Sequence, residues 1–420
     1  MTLTGAILAR AAGKERVEPG EIVQARIDLA MIHENTGVPA IIAFEKMGVP
    51  RLWDPARVVA IIDHRAPAPD ERSAALHGKL RQFCREAVVG TFYEAGMGIC
   101  HQVLPEQGHI QPGQVVVGTD SHTCTYGALG AFATGIGSTE MAGVFATGKL
   151  WFKVPESYLI LYEGPPGPGV GAKDVILKTI GQLGADGANY KAVEYAGDYV
   201  SHLGTAGRLT MCNMAIEMGA KVGIIAPDEE TARYLAPRTK ARWQPPRPGT
   251  DGEYERVVRI DVSRIEPQIA CPHQVDNVQD ISAVEGQRVD QVFIGSCTNG
   301  RLEDLAAAAR VLAGRRVPRG VRLLVIPASR EVMRQALAEG VLQVLLDAGA
   351  MLCHPNCGPC DGGHEGILAE GEVCLSTANR NFKGRMGKGA QIFLSSPLVA
   401  AASAATGHIT DPRKLGGNGR

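Results

Sequence analysis

Residues 114–122 read QVVVGTDSH. Three consecutive valines favour an extended backbone, because branching at Cβ restricts χ1 and suits a pleated, packed surface. The run lacks polar alternation, so both faces should be covered, as in a parallel strand between helices. It stops at Gly118, and Thr119, Asp120, Ser121 and His122 follow at once. The same pattern recurs three times. RVVAIIDH at 57–64 ends in Asp63 and His64, and VDQVFIGSCTN at 289–299 ends in Ser296, Cys297, Thr298 and Asn299. EVCLSTANRNFKGR at 372–385 runs into Asn379, Arg380, Asn381 and Arg385. In open parallel sheets, ligands gather beyond the carboxyl ends of the strands. Four polar clusters at four strand ends therefore define a candidate site.

Working outward, short β-branched or apolar runs at 157–162, 221–226, 321–326, 350–353 and 390–394 read as further strands. Helical patterns occupy 172–183, 209–218, 302–312 and 330–347. Strand alternating with helix predicts an α/β fold with mostly parallel sheets. The least polar stretch, 127–152, is interrupted by Ser138, Glu140, Lys149 and several glycines; it reads as a tightly packed helix and a poor membrane span. Residues 1–13 form a short apolar helix pattern broken by Arg10, without a cleavage site, so a cytoplasmic protein is expected. Pro/Gly-rich stretches at 163–171 and 244–252 divide the chain into roughly 160, 80 and 170 residues, each of domain size.

The 420 residues are 45% hydrophobic, which excludes a chain disordered throughout. Lys and Arg number 43 against 44 Asp and Glu. That balance leaves no electrostatic footprint for nucleic acid or an anionic membrane. An anionic ligand must meet a local cluster of cations.

Ten cysteines are present. Cys84, Cys100, Cys124, Cys212, Cys271 and Cys374 stand alone in apolar surroundings and read as buried thiols. Cys353, Cys357 and Cys360 crowd together, and Cys297 sits at a strand end. Without an export signal, a disulfide framework is not expected. Cys357-Gly-Pro-Cys360 admits three readings. A redox dithiol would want an aromatic residue before it and a helix after it, whereas Asn356 precedes and Asp361-Gly-Gly follows. A zinc site could recruit His354 or His364. An iron–sulfur cluster could recruit the distant Cys297. Spacing alone leaves all three open.

The surrounding residues narrow the chemistry. Asp63, His64, His101, Asp120, His122, Asn213, Glu217, Arg380 and Arg385 exceed what a structural zinc site uses. An enzyme that removes a proton beside a carboxylate and expels hydroxide needs such a set: a Lewis acid for the leaving group, an acid to protonate it, and arginines for the carboxylates. His77, His109, His202, His273 and His408 read as ordinary structural histidines.

Seven stretches, in order, carry a specific likeness: Ile62-Asp-His64, Cys100-His-Gln102, Gly118-Thr-Asp-Ser-His122, Cys212-Asn-Met-Ala-Ile-Glu217, Ser296-Cys-Thr-Asn299, Cys357-Gly-Pro-Cys360 and Asn379-Arg-Asn-Phe-Lys-Gly-Arg385. Together they resemble the aconitase superfamily, in its branch of stand-alone large subunits, from about residue 30 onward. The resemblance implies an α/β chain of three α/β/α domains, at 1–160, 161–262 and 263–420, around a central iron–sulfur cleft. It implies a 4Fe–4S cluster held by Cys297, Cys357 and Cys360, with the fourth iron open to water and substrate. It pairs Asp63 with His64, Asp120 with His101, and Glu217 with His122, and makes His64 the acid for the departing hydroxyl. Arg380 and Arg385 would bind substrate carboxylates, with Ser121 as a donor, and Asn213, Asn299 and Asn379 would flank the cluster. His33 would be a substrate contact where aconitases proper carry glutamine. A fourth, swivelling domain with a serine base and another arginine is expected on a separate small subunit, leaving this chain alone with little activity. The expected substrate is a 2-hydroxy dicarboxylate, or else a tricarboxylate, isomerised through an unsaturated intermediate. Neither nucleic acid nor membrane is an expected partner.

Overall fold

The computed structural model describes residues 1–241, 243 and 253–415. The chain divides into two compact units, each assembled from separated segments. Unit 1 comprises Met1–Ala95, Val103–Tyr162 and Ala188–Ile260. Unit 2 comprises Gly96–Gln102, Glu163–Gly187 and Asp261–Arg420.

Unit 1 is built on a five-stranded sheet in the order Thr91–Tyr93, Val58–Ile61, Leu29–His33, Val115–Gly118, Phe132–Gly135. Every pairing is parallel. All residues of the three central strands are buried, as the unbroken apolar runs require. Val38, Ile41 and Phe44 of helix Glu34–Lys46, Leu80 and Phe83 of Glu71–Glu86, and Phe145 of Ser138–Thr147 share one core with Ile32, Val58 and Val117. Phe44, Phe83 and Phe145 meet with centroids 5.7–6.4 Å apart. A second sheet runs Val222–Ile225, Ala192–Ala196, Ser157–Glu163, Arg256–Asp261, and Ile22–Arg26 pairs antiparallel with Lys149–Lys153.

Unit 2 carries a seven-stranded sheet in the order Val278–Asp280, Gln268–Ala270, Gln391–Leu394, Val373–Ser376, Gln291–Ile294, Arg322–Val325, Met351–Leu352. Its last five strands are mutually parallel, while Gln268–Ala270 pairs antiparallel on both sides. Helices Leu302–Leu312 and Ala172–Leu183 match the expected bounds.

Three expectations need correction. The stretch 127–152 is not one helix. It comprises the end of a 3₁₀ turn at Ser121–Leu129, strand Phe132–Gly135, helix Ser138–Thr147 and the start of strand Lys149–Lys153. Gly130 and Gly148 adopt left-handed φ of 76° and 66°, so they end elements rather than pack within one. The helix expected at 209–218 is Thr205–Asn213 followed by a tighter 3₁₀ segment, Met214–Met218. The helix expected at 330–347 breaks into Arg330–Ala338 and Val341–Asp347 at Gly340, with φ of 75°.

Of the two Pro/Gly-rich punctuations, 244–252 lies outside the described residues, and Glu163–Gly187 groups with unit 2. Among the described residues, no helix is long and apolar enough to cross a membrane.

Candidate functional site

In unit 1 the sheet order sets Leu29–His33 between Val58–Ile61 and Val115–Gly118. Because all three run parallel, their carboxyl ends lie side by side and deliver His33, Asp63–His64 and Asp120–His122 to one edge. His64 Nδ1 lies 2.7 Å from Asp63 Oδ1. An ionised carboxylate only accepts, so Nδ1 carries a proton and Nε2 remains the working nitrogen. That Nε2 is 3.6 Å from Asp120 Oδ2. His122 Nε2 is 2.7 Å from Glu217 Oε1, and its backbone N–H donates to Asp120 Oδ1 at 2.7 Å. Ser121 Oγ lies 3.4 Å from His122 Nδ1.

His33 stacks on His64, with centroids 3.8 Å apart and planes 12° off parallel. Thr36 Oγ1 donates to Thr119 Oγ1 at 2.9 Å, so it accepts from His33 Nε2 at 2.7 Å. His33 is then an Nε2–H tautomer whose buried Nδ1 has no hydrogen-bond partner among the described residues. Burial, followed by the neighbouring His64, holds its pKa below the usual imidazole value against the pull of Asp63, Asp120 and Glu34.

Glu34 carries no expectation from sequence, yet it organises this edge. Its fully buried carboxylate accepts three successive backbone N–H groups: Asp63 at 3.1 Å, His64 at 2.8 Å and Arg65 at 2.7 Å. With His33, Asp63 and His64 it forms the group whose ligand atoms all lie within 4.8 Å of one another. Asn213 is fully buried and donates to Thr125 Oγ1 at 2.9 Å. A cavity of about 390 Å³ opens beside Thr119 and Ser121, with Tyr190 and Lys221 in its wall.

In unit 2 the neighbouring parallel strands Gln291–Ile294 and Val373–Ser376 bring Cys297 and Asn379 together. Thr377 Oγ1 accepts from Gly295 N at 2.9 Å and donates back to Gly295 O at 3.1 Å, tying the two strand ends. Ser296 takes a left-handed φ of 71°, a conformation that costs a non-glycine residue about 1–2 kcal/mol and persists where surroundings enforce it. Asn379 Nδ2 donates to Cys297 Sγ, and Cys360 Sγ donates to Asn379 Oδ1, both at 3.5 Å. Cys297, Cys357 and Cys360 are 5–6% exposed. Arg385 lies over the half-exposed Phe382 ring at 5.2 Å. Burial lowers its pKa, but Cys360, Asp361 and Cys357 outweigh that and raise it overall. Arg301, also unforeseen, donates to the carbonyls of Cys297 at 2.6 Å and Thr298 at 2.7 Å and to Gln102 Oε1 at 3.1 Å. His101 and Gln102 belong to the segment that groups with unit 2.

Thiolates around one zinc ion, at Zn–S distances of about 2.3 Å, would converge within about 4 Å of one another. Among the described residues, the three cysteines form no group within 4.8 Å of one another. They are buried, with the Asn379 amide between Cys297 and Cys360, an arrangement compatible with a multinuclear group. Cys353 is half-buried, its thiol pushed up to about 12 by burial and by Glu365. None of the ten cysteines is in a disulfide, and Cys84, Cys100, Cys124, Cys212, Cys271 and Cys374 are buried as expected.

Unit 1 thus carries imidazole–carboxylate pairs at the carboxyl ends of parallel strands, and unit 2 carries the three buried cysteines. Residues 6–407 match the Aconitase family (aconitate hydratase), and the chain belongs to that family. It is 55% identical over 413 residues to the 3-isopropylmalate dehydratase large subunit 1 of Methanopyrus kandleri, covering 98% of this chain and 99% of that protein. It is 56% identical over 391 residues to a probable methanogen homoaconitase large subunit of Methanosarcina mazei, covering 93% and 100%. It is 49% identical over 417 residues to the 3-isopropylmalate dehydratase large subunit of Moorella thermoacetica, covering 99% of each chain.

Proposed function

We propose that this chain is the cluster-binding large subunit of a cytoplasmic heteromeric 3-isopropylmalate dehydratase. It would interconvert 2- and 3-isopropylmalate through isopropylmaleate, in leucine biosynthesis. The observation that carries the substrate is 55% identity, across nearly the whole of both chains, to a large subunit of that name. A second reading, homoaconitase acting on homocitrate and homoisocitrate in lysine biosynthesis, is favoured by 56% identity to a large subunit of that name.

Cys297, Cys357 and Cys360 would hold a 4Fe–4S cluster, supported by the bridging Asn379 amide between two of the sulfurs. When bound, the cluster supplies a Lewis acid for the substrate hydroxyl and one carboxylate. His64 Nε2 delivers the proton to the departing hydroxyl, because Asp63 occupies its other nitrogen and raises its basicity. Glu217 does the same for His122, and Asp120 pairs with His101. Arg380 and Arg385 grip carboxylates, Ser121 donates to substrate, His33 touches it, and Asn213, Asn299 and Asn379 flank the cluster. Within this reading the chain has three domains with boundaries near 160 and 262, and a small subunit brings the swivelling domain with the base.

The test is anaerobic reconstitution of the chain with iron and sulfide, alone and with its small subunit. Hydration of isopropylmaleate and of cis-homoaconitate is then followed side by side. Broad visible absorbance, negligible turnover alone, and preferential hydration of isopropylmaleate by the pair are expected. Preference for cis-homoaconitate would replace the substrate, and full turnover by the chain alone would overturn the two-subunit reading.

A further inference from the structure

Lys173 stands where helix physics disfavours a lysine. It is the second residue of Ala172–Leu183, at the end where unpaired N–H groups already present positive charge. Its side chain is also 1% exposed. Removing an ammonium from water costs several kcal/mol unless partners replace the water. Nζ donates to the carbonyls of Ala378 at 2.6 Å and Thr377 at 2.8 Å, and lies 3.5 Å from Asn299 Oδ1. These partners are dipoles, and none carries a charge. Burial pushes the Lys173 pKa down to about 7, opposed first by Asp304, then by Cys360 and Cys297.

The partners share one location. Thr377 and Ala378 immediately precede Asn379, whose side chain bridges Cys297 Sγ and Cys360 Sγ. Asn299 lies two residues beyond Cys297, and its Nδ2 donates to the buried Asp304 at 3.0 Å. A single ammonium therefore ties the loop that carries Cys297 to the loop whose Asn379 bonds Cys297 Sγ and Cys360 Sγ. The uncharged oxygens that Nζ touches are meagre compensation for a buried cation, and the buried Asp304 and Asp174 carboxyls supply counter-charge nearby, to which the thiols of Cys360 and Cys297 add.

We propose that Lys173 is a positioning residue of the cluster site, fixing the Asn299 and Thr377–Asn379 loops and setting a positive charge near Cys297 and Cys360. The proposal rests on the reading that Cys297, Cys357 and Cys360 hold the cluster. A cation beside a redox-capable group favours its reduced form, so loss of the charge moves a reduction midpoint to more negative potential. Lys173 would tune and seat the group without touching substrate.

The experiment uses the full chain, reconstituted anaerobically as wild type, K173R, K173Q and K173M. Iron per chain is measured together with the midpoint of a spectroscopically followed reductive titration. K173Q retains an amide donor for Ala378 O and guards against a variant that fails to fold. The expected result is a more negative midpoint in K173Q and K173M, with K173R nearer wild type. Loss of iron from K173Q and K173M, with melting of the iron-free chains unchanged, would equally support the role. Midpoints and iron content in K173Q and K173M equal to wild type would overturn it. So would unfolding of both iron-free variants, which would assign Lys173 to the fold alone. A wild-type chain that takes up no cluster would instead remove the underlying metal reading, a result visible before any variant is compared.

Discussion

Glu34 offers the sharpest test of how the histidine edge is held. Its Oε1 accepts from His64 N at 2.8 Å and Arg65 N at 2.7 Å, and its Oε2 from Asp63 N at 3.1 Å. Glu34→Gln keeps the shape. Its amide oxygen can retain the two shorter bonds, but its NH₂ then faces the Asp63 N–H, donor against donor. One hydrogen bond to a charged group is lost, worth about 1.5–3 kcal/mol, and local opening at Asp63 should become roughly 10- to 150-fold easier. Glu34→Ala strands all three N–H groups, at roughly 1–3 kcal/mol each before relaxation. Amide hydrogen exchange resolves the two cases: Glu34→Gln should expose Asp63 most and spare His64 and Arg65, whereas Glu34→Ala should expose all three. Equal protection of 63–65 in wild type and Glu34→Ala would refute the argument, because something other than this carboxylate would then be holding the turn.

Burial raises the Glu194 carboxyl to about 7 from its ordinary 4.5, against hydrogen bonds from Tyr254 and Thr4. The folded chain thus keeps a proton that the unfolded chain releases; the contribution is full below about pH 4.5 and lost as pH rises through 7, roughly 3 kcal/mol in all. Thermal melts of wild type against Glu194→Gln across pH 4.5–7.5 should diverge accordingly, and parallel curves would contradict it. Gly127→Ala should destabilise unit 1 by at least about 1–3 kcal/mol, since its Cβ would sit 1.8 Å from the Gly223 carbonyl oxygen; an unchanged melting temperature would refute the close approach. Gly78→Ala, exposed in helix Glu71–Glu86 with nothing within 4 Å of the added Cβ, should stabilise by about 0.5–1 kcal/mol, read as a raised denaturation midpoint.

The strand ends were legible because their signal is local. A buried run that stops in Asp-His or in Ser-Cys-Thr-Asn marks the strand and, at its end, a candidate site. Strand order is not local: nothing within 29–33 says that it pairs with both 58–61 and 115–118, and that pairing gathers His33, His64 and Asp120. Glu34 was invisible for a related reason. An acid in the first turn of Glu34–Lys46 looks like ordinary complementation of the helix dipole, and only the neighbouring strand end turns it into an anchor. The glycines of 127–152 misled because packing and termination call for the same residue. Gly130 and Gly148 differ from a packing glycine only in the sign of φ.

Glu34, Arg301 and Lys173 share a property that explains why sequence alone gave them no part in the site. Each is a buried charge spent mainly on backbone: three N–H groups for Glu34, two carbonyls for Arg301 and two for Lys173. A loop at a strand end has no neighbouring ladder for its peptide groups, and buried peptide groups left unpaired are expensive. One multivalent side chain satisfies several of them at once and freezes the loop. Asp63 then pairs with His64 in one unit, and the Asn379 amide bonds Cys297 and Cys360 in the other. Substituting Arg or Lys by a neutral isostere should therefore disturb geometry before it disturbs composition. That order separates an anchor from a reacting group: an anchor's loss loosens exchange and cluster seating together, while loss of a reacting imidazole leaves both intact and removes only turnover.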